Sequence, residues 1–139
     1  MSGVWVLLAA VVAAGAVALA KRWWDGRFRA AGEGTDVDVV TAEEIGAPLG
    51  ERATLLQFSS AFCAPCRATR LVLAEVAAGR DDVAHVEVDA EANLGLVRRL
   101  GVLRTPTVVV LDGRGAVRGR ASGAPRREQV EAALAVVDE

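Results

Sequence analysis

Cysteine is scarce in this chain. Only Cys63 and Cys66 occur, separated by two residues in the stretch FSSAFCAPCRATR. Two thiols in one C-x-x-C cannot build a disulfide framework, nor complete a four-ligand zinc site. Redox chemistry or capture of a soft metal ion remain. Histidine is scarcer still, with His85 alone, and Lys21 is the only lysine among 16 basic residues. The chain also lacks an internal repeat. Beyond residue 29 it lacks positive excess, since residues 30–139 hold 12 basic against 17 acidic side chains. That balance gives no electrostatic footprint for nucleic acid.

Charge is absent altogether from residues 2–20, SGVWVLLAAVVAAGAVALA. As a helix rising ~1.5 Å per residue, this run spans ~28 Å, about the thickness of a bilayer core. A helix packed on a soluble domain normally keeps a polar face, and this one has none. It reads as a membrane anchor. Trp23 and Trp24 after the span suit the membrane interface. Lys21, Arg22, Arg27 and Arg29 against Asp25 give residues 21–29 a balance of +3. The positive-inside bias puts that cluster, and the domain beyond it, on the cytoplasmic side of the cell membrane in a single-pass arrangement. The alternative is a cleaved signal peptide ending at Ala18-Leu19-Ala20. It lacks a positively charged n-region, and its apolar run is longer than such peptides need.

The chain thus divides into an anchor at 1–20, a basic juxtamembrane segment and glycine-containing linker at 21–36, and a domain at 37–139. In that domain strand and helix signals alternate. Residues 37–40 form a short strand candidate. Thr41-Ala-Glu-Glu44 has capping-box spacing and opens a brief helix that stops before Pro48. The apolar run at 53–59 has the length of a buried strand. A helix follows from Cys63 to Ala78, with Gly79 as its stop. Residues 83–89 are the next strand, 92–100 a helix ending at Gly101, and 107–112 another strand. Gly113 and Gly115 mark a hairpin into 116–121, and Pro125 starts a last amphipathic helix. Alternation in the first part predicts parallel strands joined by helical crossovers, and the last hairpin is antiparallel. The fold class is α/β, a three-layer sandwich with a mixed central sheet after one transmembrane helix.

Cys63 falls where a strand gives way to a helix, and a helix N-terminus favours the negative charge of a thiolate. Pro65 in the first turn removes no helical hydrogen bond. Cys66 lies nearly one turn further on, within reach of Cys63 and more sheltered. The spacing supports attack by the first sulfur and resolution by the second.

FSSAFCAPC resembles the active-site segment of the thioredoxin family. The resemblance continues through VEVDAE (86–91), RRLGVLRTPTVVVLD (98–112) and GAPRREQVEAAL (123–134), covering about residues 37–137. It implies catalytic roles for Cys63, Cys66 and Pro106, the last in a cis peptide facing the dithiol. It also implies substrate contact at Phe62, Ala64, Pro65 and Thr105, with the Thr105 backbone binding a substrate chain like an added strand. No cofactor is implied beyond the redox-active Cys63–Cys66 disulfide, and no metal. The implied partners are protein disulfides and an electron donor resembling thioredoxin reductase, a flavoprotein.

Three departures stand out. Phe62 replaces the usual tryptophan, and Ala64 replaces glycine between the cysteines. The family's buried aspartate aligns with Gln57, and its lysine partner with His85. Glutamine cannot act as a base toward Cys66, whereas histidine titrates near pH 7, so His85 and Gln57 are candidates for proton transfer. The blander reading has the two satisfying each other's hydrogen bonds. The expected reaction is thiol–disulfide exchange, running toward reduction in a cytoplasmic setting. An outward-facing domain would instead need electrons carried across the membrane, or act as an oxidant. A Cu(I)-binding module is a rival, because two thiolates suit that ion. So is a redox-silent docking domain on the same scaffold.

Overall fold

The structure is a computed structural model that describes residues 1–30 and 38–138. The uncharged run forms helix α1, Ser2–Trp24, with no residue buried and with length and composition sufficient to cross a membrane. A short turn leads to strand β1, Arg29–Ala30. The domain then runs α2 (Ala42–Ile45), β2 (Ala53–Ser59), α3 (Ala64–Ala78), β3 (Val83–Asp89), α4 (Leu94–Leu100), β4 (Thr107–Asp112), β5 (Val117–Ser122) and α5 (Arg127–Val137).

Among the described residues these strands form one mixed sheet in the order β1-β5-β4-β2-β3. Only β2 and β3 pair in parallel, while β4 runs antiparallel to β2 and β5 to β4. The parallel expectation therefore holds for one pair and stops there. Helix α4 explains why: its seven residues climb only ~10 Å, too little to carry the chain back along a strand of ~23 Å. The chain re-enters the sheet at the end it left, so Thr107 at the start of β4 pairs with Phe58 near the end of β2.

Side chains alternate across β2 and build two cores. Leu56 and Phe58 face Ile45 of α2 and Leu96 and Leu100 of α4. Ala53 and Leu55 face Leu73 and Val76 of α3 and Val130 and Leu134 of α5. Every residue of β2 is buried, which makes it the central strand of three layers. The capping box at Thr41 and Glu44 is present, and Arg99 of α4 reaches Glu44, tying the two helices on that face. That guanidinium, with the Thr41 N–H, holds the Glu44 carboxyl below the usual carboxylate range.

Some local expectations shift. Within residues 37–40 only Val39 pairs, in an isolated bridge to Ala116, and Val37 lies outside the described residues. Residues 31–36 of the linker reading lie outside them too, whereas Ala30 belongs to β1. Helix α4 starts at Leu94 rather than at residue 92, with Asn93 in the N-cap position. Helix α5 starts after Arg126, whose backbone N–H bonds the Gln129 side chain.

Candidate functional site

Strand β2 ends at Ser59, and Cys63 follows as the N-cap of α3, with extended backbone. Its sulfur accepts a hydrogen bond from the Cys66 N–H at 3.2 Å. The helix dipole and its free N–H groups converge on the same atom, so negative charge there is stabilised. Pro65 sits in the first turn, where no intrahelical acceptor awaits its missing N–H. Cys63 and Cys66 are joined in a disulfide with S–S 2.04 Å. The two differ sharply in access: Cys63 is half-buried, while Cys66 is 1% exposed. Phe62 beside them is fully exposed, and Ala64 and Pro65 are exposed as well.

The β2–β4 register brings a second segment to this point. Pro106 precedes Thr107 by one residue and so lies level with the end of β2. The Thr105–Pro106 peptide is cis and Pro106 is buried. The Pro106 carbonyl accepts from the Gly123 N–H at 2.8 Å, and the Thr107 hydroxyl donates to the Arg104 carbonyl at 2.6 Å. Ser60 and Thr105 hydroxyls meet at 2.9 Å, linking the loop after β2 to the proline loop. Ser60 was not singled out from the sequence, since nothing local marks a serine 45 positions from its partner.

Behind the dithiol lies a polar strip on the α3 face of the sheet. Gln57 is fully buried. Its Nε2 donates to the Cys66 carbonyl at 2.8 Å and to the Ser59 hydroxyl at 3.0 Å. Its Oε1 lies 3.0 Å from His85 Nε2, and an amide oxygen only accepts, so that ring nitrogen carries the proton. Gln57 thus stands between His85 and Cys66 and meets the cysteine at its carbonyl. The Ser59 hydroxyl donates onward to Glu87 at 3.3 Å, and Arg70 of α3 grips Glu87 with two hydrogen bonds of 2.8 and 2.7 Å. Burial pushes the His85 imidazole below the ordinary histidine range; the Glu87 carboxylate opposes this and Arg70 adds to it. Ser59, Glu87 and Arg70 escaped the sequence reading because only strand register brings them together.

A half-open sulfur at a helix N-terminus, backed by a buried one, suits nucleophilic exchange in two steps. Among the described residues no group of three or more His, Cys, Asp or Glu side chains comes together as a metal site.

Comparison with known proteins agrees with this geometry. The sequence pattern of the thioredoxin family matches residues 37–136. The chain is 33% identical over 89 residues to a thioredoxin of Alicyclobacillus acidocaldarius, covering 63% of this chain and 84% of that one. It is 35% identical over 66 residues to a thioredoxin of Mycolicibacterium smegmatis, covering 45% of this chain and 59% of that one. Among solved structures, thioredoxin F from spinach chloroplast in its short form superposes with a TM-score of 0.57 at 24% identity, over 65% of this chain and 80% of the other.

Proposed function

The chain belongs to the thioredoxin family and carries its dithiol as a Cys63–Cys66 disulfide, a thiol–disulfide oxidoreductase centre; from that premise we propose that it reduces protein disulfides while α1 holds it in a membrane. The observation that carries the reading is the unequal access of the two sulfurs, with Cys63 at the N-cap of α3 and Cys66 buried behind it. Cys63 thiolate attacks one sulfur of a substrate disulfide. A Cys63–substrate bond forms, and the other substrate sulfur leaves as a thiolate. Cys66, once deprotonated, attacks the Cys63 sulfur, releasing the second substrate thiol and closing the Cys63–Cys66 disulfide. Two electrons have passed to the substrate, and an electron donor resembling thioredoxin reductase returns them.

Thr105 supports the substrate-binding role. Among the described residues its backbone N–H and C=O have no hydrogen-bond partner, so both are open to an extended substrate chain. The Cu(I) reading loses ground, because the carrier domains it rests on lack a Thr-Pro turn before a late strand. The tether rests on α1, and its sidedness rests on the basic residues after it.

The test uses the full chain in membranes. Reduced protein should cleave insulin disulfides, and Cys63→Ser should abolish this. The protein should pellet with membranes through a high-salt wash, and a reporter fused after Glu139 should read as cytoplasmic. Insulin reduction surviving in Cys63→Ser would overturn the chemistry. A soluble product starting near Lys21 would overturn the tether, and a reporter on the outer face would mean that electrons are carried across the membrane or that the protein acts as an oxidant.

A further inference from the structure

Helix α1 does not hang free of the catalytic face. Its C-cap residue Asp25 pairs with Arg104 at 2.8 Å, two residues before Pro106. The next residue, Gly26, is buried and donates its N–H to the Ser122 carbonyl at 2.9 Å. Its φ of +77° and a Cβ position 2.3 Å from the Ala124 carbonyl oxygen leave room for glycine alone. Arg104 also donates to the Ser122 carbonyl at 3.0 Å, and β1 then pairs Arg29 and Ala30 with Arg120 and Gly119 of β5. Within six residues of the helix end the chain is fastened to the proline loop and to the sheet edge. A flexible tether would carry none of these contacts.

Between the helix end and the catalytic loops lies a cavity of about 760 Å³. One wall is Pro65, Thr105 and Pro106, the segments beside the dithiol. The opposite wall is α1, and it includes Ala18 and Leu19, which belong to the uncharged run. Those residues sit ~8 Å along the helix axis before Trp24, below the level of Lys21 and Arg22. The cavity therefore runs from Pro65, between the two cysteines in sequence, and the proline loop down to side chains that face lipid when α1 spans a bilayer. Its rim is cationic: Lys21, Arg22, Arg104 and Arg126 line it against the single acid Asp25, already paired with Arg104.

We propose that this cavity receives the juxtamembrane segment of an integral membrane protein, whose disulfide lies within a few residues of its own span and is flanked by acidic side chains. The proposal rests on the membrane-tethered reductase reading and names the substrate class for that same site. A segment leaving the bilayer beside α1 enters the cavity at Ala18 and Leu19, passes the cationic rim, and reaches Thr105 and Pro65, two residues from Cys63 in sequence. Exchange is the step already written: one substrate disulfide becomes two thiols as Cys63 and Cys66 become a disulfide. Soluble proteins still reach Cys63, but they forgo the confinement and the charge pairing.

Once the substrate's span lies beside α1 the spacer alone tethers the loop, and effective concentration falls roughly as the −3/2 power of spacer length, so a spacer ten times longer lowers it ~30-fold. If the domain itself floats on an insert of comparable length, the same comparison yields only ~3-fold.

The test is single-turnover reduction by the pre-reduced full chain in vesicles of phosphatidylcholine and phosphatidylglycerol. The probes are synthetic transmembrane peptides bearing one disulfide loop flanked by aspartates, placed directly after the span or beyond a long Gly/Ser spacer, plus the loop alone in solution. The near loop should be reduced more than ~10-fold faster than the spaced one, a conservative share of the expected gain. A Gly/Ser insertion after Trp24 should bring that ratio to ~3-fold or less while reduction of the soluble loop continues. Reversing the rim with Lys21→Glu and Arg126→Glu should slow the aspartate-flanked near loop and restore the rate for a lysine-flanked one. Equal rates for near and spaced loops, or a ratio untouched by the insertion, would overturn the proposal and leave the reductase reading standing. Failure to reduce even the soluble loop would overturn the reductase reading, and the proposal with it.

Discussion

Replacing Gln57 with aspartate should speed resolution and weaken the fold at once. Gln57 is fully buried, and its amide nitrogen supplies two hydrogen bonds, to the Cys66 carbonyl and the Ser59 hydroxyl. A carboxylate supplies none. Leaving a buried acceptor without its donor costs ~1–3 kcal/mol, so the pair of losses comes to ~2–6 kcal/mol. For a domain of this size that is a fall in Tm of ~10–30 °C. Burial raises the new carboxyl toward the range in which a base takes a proton at neutral pH, while the imidazole of His85 beside Oε1 stabilises its anion once protonated. A base in that range typically contributes about 10²–10⁴-fold. The lower end, ~10²-fold, is expected here, because position 57 faces the Cys66 backbone rather than its sulfur. The assay is single-turnover release of substrate from a Cys63 mixed disulfide, followed from about pH 5.5 to 8.5 around the histidine range, beside a thermal melt. Gln57→Asn is the control, matching aspartate in size without the base, and should lower Tm without faster release. If Gln57→Asp leaves the release rate unchanged over the whole pH range, proton removal does not limit resolution and this account of position 57 is wrong.

Two further outcomes follow from the core and from His85. Phe58 is fully buried in the cluster beneath α4, so Phe58→Ala should destabilise by ~3–5 kcal/mol, read as a lower urea midpoint at unchanged slope. His85 has a folded pKa below its unfolded value, so the unfolded chain takes up the proton first. The stability this neutral histidine contributes is complete above about pH 6.5 and is lost as pH falls from there through the folded pKa. His85→Gln, which can still donate to Gln57, should flatten the urea midpoint between about pH 7.5 and 5.5. A wild-type midpoint that stays level over that range would contradict the burial argument.

Much of the domain could be read along the chain because its signals are local. The strands at 53–59, 83–89 and 107–112 are apolar runs bounded by glycine, proline or acidic turns, and their bounds coincide with β2, β3 and β4. The dithiol was legible from its own spacing, and the Thr-Pro turn from its place before a strand. Other features depend on what folding brings together. Strand β1 is two residues, Arg29 and Ala30, with no apolar pattern; backbone bonds to β5 create it. The antiparallel entry of β4 depends on how short α4 is, and the sequence reading made α4 two residues longer. Arg70 and Glu87 lie 17 positions apart, and Asp25 and Arg104 lie 79 apart, so neither pair leaves a trace in periodicity.

The central claim is that Cys63 attacks and Cys66 resolves. It is tested most directly by mass spectrometry of mixed disulfides after full-length Cys66→Ser and Cys63→Ser proteins, each reduced, meet a disulfide-bonded substrate. Cys66→Ser should hold substrate covalently on Cys63, because attack survives and resolution does not. Cys63→Ser should hold almost none, since Cys66 is 1% exposed and lies behind the N-terminus of α3. Equal trapping by the two variants would contradict the assignment.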